Sequence, residues 1–307
     1  MPNINFLVPG RWSNAIMSST YTQHPVNVPG LHESYSSVIL RKKVFQEISQ
    51  IVYRTCGIRL VQGKEELVRS RLLKRLRTLG LPDFDAYLQY VSDKKNESEI
   101  KVMIESLTTN KTSFFRENPH FEFMRTTILP PLIKRGSGVR IWSAGCSSGE
   151  EPYSIAILLN EELPYLFRNK LRVLATDISA LILEKARKGE YEKESLMDVP
   201  VPLREKYFTP VLSGPVPEYR VKDAIKDMVR FANLNLMAAW PMKGNFDLIF
   251  CRNVMIYFDH ETQQNLVRRF YDMLAPGGYF FVGHSESLIA SGCNFKYIRP
   301  ATYMREQ

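Results

Sequence analysis

Residues 140–152 read Arg140-Ile-Trp-Ser-Ala-Gly-Cys-Ser-Ser-Gly149-Glu150-Glu151-Pro152, an apolar run, a loop of small residues and the start of a helix. Gly145 and Gly149 permit a tight turn and close backbone approach to a ligand. A helix opening there offers unpaired N–H groups. The spacing falls short of a full G-x-G-x-x-G. Glu150 and Glu151 would repel a pyrophosphate, so the loop suits a cofactor without phosphates, or a cationic one. An ordinary β–α turn is the plain alternative. The same residues spell G-x-S-x-G, the nucleophile-elbow pattern of α/β hydrolases, with Ser147 as nucleophile and His260 and His284 downstream.

Other sites follow. Leu174-Ala-Thr-Asp177-Ile-Ser puts an acid 28 residues after Gly149, where a strand end could accept hydrogen bonds from a ribose diol. Asp177 or Ser179 would equally cap the next helix. With the glycine loop before it, a nucleoside-containing cofactor is the better reading. In Phe246-Asp-Leu-Ile-Phe-Cys-Arg252-Asn253-Val-Met-Ile-Tyr257-Phe-Asp a buried strand ends in a polar pair and an aromatic run. Substrate and cofactor groups belong at such an edge, although Tyr257 and Phe258 alone would pass for core. In Leu107-Thr-Thr-Asn110-Lys-Thr112-Ser-Phe-Phe-Arg116-Glu, polar side chains stand beside paired Phe between two regions of different character. Capping by Asn110 or Thr112 is the alternative there. Finally, residues 41–77 hold eleven Lys/Arg against three Asp/Glu. Around Leu72 and Leu76, Arg69, Arg71, Lys74, Arg75 and Arg77 cover the remaining face. That is either a solvated surface or a dock for an anionic partner.

The elements that must position these groups are legible. Residues 1–37, rich in Pro, Ser, Asn and Thr, read as a flexible tail with local order around Phe6–Trp12. From Val38 to about Leu107, Phe45, Ile48, Ile51 and Val52, and then Leu72, Leu76 and Leu79, recur at three and four residues. Gly57, Gly80 and Pro82 punctuate them, so residues 38–118 read as a small helical domain and linker. From 119 onward, strands at Val139–Ala144, Leu171–Thr176, Val229–Asn233, Phe246–Cys251 and Tyr279–Val282 alternate with helices at Glu150–Glu162, Ala180–Lys188 and Glu261–Leu274. This is the pattern of a parallel sheet covered on both faces. Leu274-Ala-Pro-Gly-Gly reads as the end of a helix and a turn. Val199–Asp223 carries five prolines and breaks the rhythm, which marks an inserted subdomain at about 199–226.

Composition sets outer bounds. The 307 residues are 44% hydrophobic, enough for a packed core, and Lys+Arg 41 against Asp+Glu 32 gives +9. A balance of that sign points to an anionic partner without choosing among nucleic acid, membrane surface and acidic protein. No apolar run reaches the ~20 residues of a membrane span, and no signal peptide is apparent. Cys56, Cys146, Cys251 and Cys293 form neither C-x-x-C nor Cys/His metal spacing, so reduced, buried thiols in a cytoplasmic protein without a metal are expected.

Taken together, TTNKTSFFRE, WSAGCSSGEEPYSIA, ATDIS, LNL, FDLIFCRNVMIYFD, LAPGG and GHSES resemble, in order, the CheR family of chemoreceptor glutamate methyltransferases. The similarity runs from about Val44 to the C-terminus. It implies a small all-α domain followed by a Rossmann-like, S-adenosylmethionine-dependent methyltransferase domain with an inserted β-subdomain. By motif, the implied cofactor contacts are Asn110, Thr112, Arg116, Ala144, Glu150, Asp177, Asn235 with Leu236, and Arg252 with Asn253. Tyr257 is expected beside the transferred methyl, and Arg116 and Tyr257 are the implied catalytic pair. Arg69, Arg71, Lys74 and Arg75 are expected to dock the substrate, the cytoplasmic helices of a methyl-accepting chemoreceptor. A monomer is expected. Some members grip a receptor's C-terminal tether peptide with the β-subdomain; here Leu212-Ser-Gly-Pro-Val-Pro-Glu-Tyr has one glycine and two prolines at that turn, which leaves a tether open.

The implied chemistry agrees with the residues. The cofactor has a ribose and a sulfonium but no pyrophosphate, which suits an acidic loop. A glutamate of pKa ~4.3 is already ionised at pH 7 and needs no general base. Positioning alone suffices, so the absence of a catalytic triad motif is no obstacle. A nucleic-acid methyltransferase using the basic helices is the main alternative, and a Ser147 hydrolase the lesser one.

Overall fold

The computed structural model describes residue 35 and residues 37–164, 171–211, 217–242, 245–288 and 292–306. The expected tail, with its ordering around Phe6–Trp12, lies outside these apart from Tyr35 and Ser37. So does the Leu212–Val216 part of the turn considered for tether binding.

Four helices open the described chain: α1 (Lys42–Cys56), α2 (Glu65–Leu79), α3 (Phe84–Ser92) and α4 (Glu97–Leu107). Apolar residues at helical spacing face one another: Val44, Phe45, Ile48 and Val52 on α1, Leu72 and Leu76 on α2, Phe84 and Tyr87 on α3, Met103 and Ile104 on α4. Fully burying such side chains contributes about 1.5–3 kcal/mol each. Gly57 and Gly80 end α1 and α2 in the left-handed conformation, as their positions in the sequence suggest. One buried carboxylate interrupts the core. Glu99 accepts two hydrogen bonds from Arg75 (2.9 and 2.7 Å) and one from the Tyr87 hydroxyl (3.0 Å).

A linker leads to α5 (Pro119–Phe123), which passes through a π-helical turn at Met124–Ile128 into α6 (Leu129–Arg135). The sheet domain then runs β1 (Val139–Ala144), α7 (Glu150–Glu162), β2 (Leu171–Asp177), α8 (Ala180–Lys188), β3 (Glu190–Glu192), α9 (Val201–Tyr207), β4 (Phe208–Val211), β5 (Glu218–Val221), α10 (Asp223–Lys226), β6 (Val229–Asn233), β7 (Phe246–Cys251), α11 (His260–Met273), β8 (Leu274–Val282), β9 (Phe295–Arg299) and β10 (Thr302–Arg305). Seven strands form one sheet in the order β6-β2-β1-β7-β8-β10-β9. The first five are parallel; β10 and then β9 add antiparallel. The period of two is plain on β1. Val139 and Ile141 face α5–α7, whereas Trp142 and Ala144 face α11.

Three features depart from the sequence reading. The strand expected from Tyr279 begins at Leu274, pairing with Phe246 across an irregularity that absorbs Pro276 and Gly277. The final antiparallel pair, β9 and β10, was not anticipated. The inserted region contains the three-stranded sheet β3-β5-β4, and its first strand precedes the predicted boundary at 199. No described helix is long and apolar enough to cross a membrane.

Candidate active site

The chain leaves β1 toward one side of the sheet through β2 and β6, then returns to β7 and β8 on the other. The carboxyl ends of β1 and β7 are therefore a topological switch point, where open α/β sheets bind ligands. A cleft of about 1030 Å³ lies there. Its walls come from the β1, β2 and β7 ends, the segment after β6, the linker at residues 108–116 and the end of α1.

The glycine loop makes the floor. Gly145 has φ +84, and a β-carbon on it would stand 2.4 Å from the Val254 side chain. Gly149 has φ +99 and packs against Tyr191 and Tyr153. Both positions therefore demand glycine. Ser147, at φ 50, donates its hydroxyl to the Asn110 carbonyl (3.0 Å). This ties the loop to the linker, and no histidine lines the cleft among the described residues. Ser147 thus has a structural partner and no base, contrary to the elbow reading.

Asp177 ends β2 and lines the cleft. Its carboxylate accepts from the amides of Ser147 (2.9 Å) and Ser179 (3.0 Å). Burial holds its carboxyl above the usual 3.8, against those bonds. The cap of α8 is instead Ser179, whose hydroxyl accepts from the Ile182 amide (3.2 Å). The ambiguity left by the sequence is resolved: Ser179 caps, and Asp177 faces the cleft.

The paired glutamates divide differently from the expectation. Glu151, not Glu150, lines the cleft. It accepts from the Ser143 hydroxyl (2.7 Å) and from Nη1 of Arg252 (3.2 Å). Burial raises its pKa, opposed by Arg252. Glu150 is buried against the Ser148 hydroxyl (2.7 Å) and is absent from the walls. Ala144 is likewise sealed in the core at 1% exposure, and Gly145 and Cys146 take its expected place. The sequence could not separate adjacent acids because nearly every residue of α7 up to Leu159 is buried, so helical periodicity carries no facing information.

Asn110, Thr112, Arg116, Asn235, Leu236, Arg252, Asn253 and Tyr257 all line the cleft. Asn235 accepts from the Met237 amide (2.9 Å) and donates to the Thr55 carbonyl (2.6 Å), pinning the end of α1 over the site. The Arg59 amide donates to the Tyr257 carbonyl (2.8 Å). The helical domain thereby supplies Cys56 and Ile58 as a wall that the sequence reading missed. Asn253, at φ 58, is braced from behind: Glu286 of GHSES accepts from the amides of Asn253 (2.8 Å) and Gly283 (2.6 Å).

Arg252 is 6% exposed and bridges Glu151, Glu117 (3.1 Å) and the Arg116 carbonyl. Burial pushes the Glu117 carboxyl up, but Arg252 and the His284 amide hold it below its ordinary 4.5. Burial, with Arg252 beside it, pushes His120 down to about 3, so the ring is neutral at pH 7.

The basic side chains of α2 do not form one free surface. Arg75 is committed to Glu99. Arg71 donates to the carbonyls of Leu107 (2.5 Å) and Thr108 (3.1 Å) and to the Thr109 hydroxyl (2.9 Å), capping α4 at the cleft rim. Arg69 donates to the Val38 carbonyl (2.7 Å) and to Glu66 (2.8 Å). Lys74 and Arg77 are exposed. The four residues expected to dock the substrate therefore differ: Arg75 is held by a buried carboxylate, Arg71 by the carbonyls at the end of α4 and Arg69 by the Val38 carbonyl and Glu66, whereas Lys74 is exposed.

Comparison with known proteins agrees with this geometry. Residues 43–108 match the family described as CheR methyltransferase, all-alpha domain. Residues 110–304 match CheR methyltransferase, SAM binding domain. The chemotaxis protein methyltransferase of Borreliella burgdorferi is 40% identical over 276 residues, covering 88% of this chain and 96% of that protein. That of Escherichia coli is 44% identical over 248 residues (79% and 84%). Chemotaxis protein methyltransferase 2 of Pseudomonas aeruginosa is 41% identical over 246 residues (80% and 86%).

Proposed function

Since the chain belongs to the CheR methyltransferase family, and is thus an S-adenosylmethionine-dependent methyltransferase of chemotaxis, we propose that its substrates are glutamate side chains on the cytoplasmic helices of bacterial chemoreceptors, which it converts to methyl esters. The observation that carries the reading is the cleft. It offers a diol acceptor in Asp177, a second acid in Glu151 and an aromatic rim at Tyr257, with no histidine on its walls among the described residues.

The donor set fits the cofactor. Asp177 suits the ribose hydroxyls and Glu151 the amino group, and two buried acids would repel a pyrophosphate. S-adenosylmethionine, when bound, supplies an electrophilic methyl on a cationic sulfur. Asn110, Thr112, Arg116, Asn235, Leu236, Arg252 and Asn253, which line the cleft, would hold and orient it. Tyr257 and Arg116 also line the cleft, where Tyr257 would stand beside the bound methyl and Arg116 would steer the incoming carboxylate. That carboxylate is ionised at pH 7, so the chain's task is alignment and water exclusion rather than proton transfer. Lys74, with Arg69, Arg71 and Arg75 beside it on α2, contributes positive charge for an acidic receptor surface, and the enzyme acts as a monomer in the cytoplasm.

The test is transfer of labelled methyl from S-adenosylmethionine to receptor-bearing membranes, followed by mild base. Esters release the label as methanol, whereas N-methyl groups keep it. Retained label, or labelling of nucleic acid instead, overturns the proposal.

A further inference from the structure

Behind Arg252, away from the transfer chemistry, three side chains converge that the proposed reaction does not use. Glu117 precedes α5, His120 lies within it, and His284 follows β8. Their donor atoms all lie within 4.8 Å of one another. Nδ1 of His120 stands 3.6 Å from Oε2 of Glu117, and Nε2 of His284 stands 3.9 Å from the same oxygen. His120 is 1% exposed, yet neither ring nitrogen has a hydrogen-bond partner, and the Glu117 oxygen it approaches has only the Arg252 guanidinium, 3.1 Å away. Buried polar atoms are otherwise almost always satisfied. A histidine with both nitrogens stranded, aimed at a carboxylate oxygen and a second imidazole, calls for an electron-pair acceptor.

We propose that Glu117, His120 and His284 form a binding site for a divalent transition-metal ion of the zinc class. Two imidazoles and a carboxylate suit zinc, cobalt or nickel rather than calcium or magnesium, which take oxygen ligands. Metal–ligand bonds of about 2.0–2.2 Å in a tetrahedron place donors roughly 3.3 Å apart. The histidine–glutamate separations of 3.6 and 3.9 Å exceed this by about 0.3 and 0.6 Å. His284 is half-exposed and closes the set by rotating its side chain, and its open side leaves the fourth position to water. Nη2 of Arg252 lies 3.1 Å from the same Glu117 oxygen. Ion and guanidinium therefore share one carboxylate, and their repulsion keeps the affinity moderate, on the order of micromolar. Arg252 retains Glu151 and the Arg116 carbonyl.

The test uses the full-length protein stripped of metal. Zn²⁺ is titrated by calorimetry, and Co²⁺ by the visible absorption that reports its coordination. The expected result is saturable binding with a tetrahedral Co²⁺ spectrum, weakened roughly tenfold or more in His284→Ala. The exposed position of His284 lets that variant fold, which circular dichroism checks. Equal affinity in parent and variant overturns the site, because the ion then sits elsewhere. Absence of saturable binding in the parent also overturns it and leaves buried water as the partner of His120.

Discussion

Arg75 separates a docking role from a structural one. Its side chain is 19% exposed and that of Glu99 is 7%. Two hydrogen bonds of 2.9 and 2.7 Å join them. In Arg75→Ala the Glu99 carboxylate stays in the helical core with only the Tyr87 hydroxyl, 3.0 Å away. Stranding one partner of a buried pair costs about 3–5 kcal/mol. Arg75 is one-fifth exposed and water can reach part of the vacated space, so the lower end, about 3 kcal/mol, is expected. Lys74→Ala, one residue away on the exposed face, should cost no more than about 0.5 kcal/mol. Replacing both Arg75 and Glu99 by Ala should cost less than the sum of the single changes, since the double variant strands no charge. Urea unfolding followed by circular dichroism measures all of these. A loss below about 1 kcal/mol for Arg75→Ala, with receptor methylation falling as far as in Lys74→Ala, would refute the structural assignment.

Further outcomes follow from the cleft. Glu151→Gln should weaken S-adenosylmethionine binding by about 1.5–3 kcal/mol, the worth of a hydrogen bond to a charged group, while Glu150→Gln changes it by no more than ~0.5 kcal/mol; calorimetry ranks them, and the reverse order restores Glu150 to the site. Burial raises the Asp177 pKa above 3.8, and the ribose diol donates to the ionised form. Affinity should therefore be full above the raised pKa and fall as pH drops through it toward 3.8, and Asp177→Asn should flatten that profile at a lower affinity. Ser147→Ala removes one hydrogen bond, to the Asn110 carbonyl, and should leave methyl transfer within about 1 kcal/mol of the parent. Its abolition would return Ser147 to a chemical role.

Much of this site could be read in the sequence because strand ends announce themselves. Asp177, Arg252 and Asn253 are polar residues abruptly ending apolar runs, and a parallel sheet gathers such ends at one edge. What could not be read depended on facing and on distance along the chain. Glu150 and Glu151 are neighbours on a helix buried on nearly all sides, so only packing decides which reaches the cleft. Glu99 has no local signature of burial either, because its partners Arg75 and Tyr87 come from 24 and 12 residues away. Asn235 reaches Thr55 across 180 residues, a contact without a local signature. The strands β9 and β10 are short, half-exposed and antiparallel, and so lack the continuous apolar run that marked the others.

The central claim, methyl transfer from S-adenosylmethionine to a receptor carboxylate, is tested most directly by mapping the modification. A receptor cytoplasmic fragment is incubated with the protein and S-adenosylmethionine, digested, and sequenced by tandem mass spectrometry before and after mild base. The expected result is one added methyl on particular glutamates, removed by base and absent when Asp177→Asn replaces the parent at subsaturating cofactor. Methylation confined to lysine, arginine or nucleic acid, or a mass increase that survives base, would contradict it.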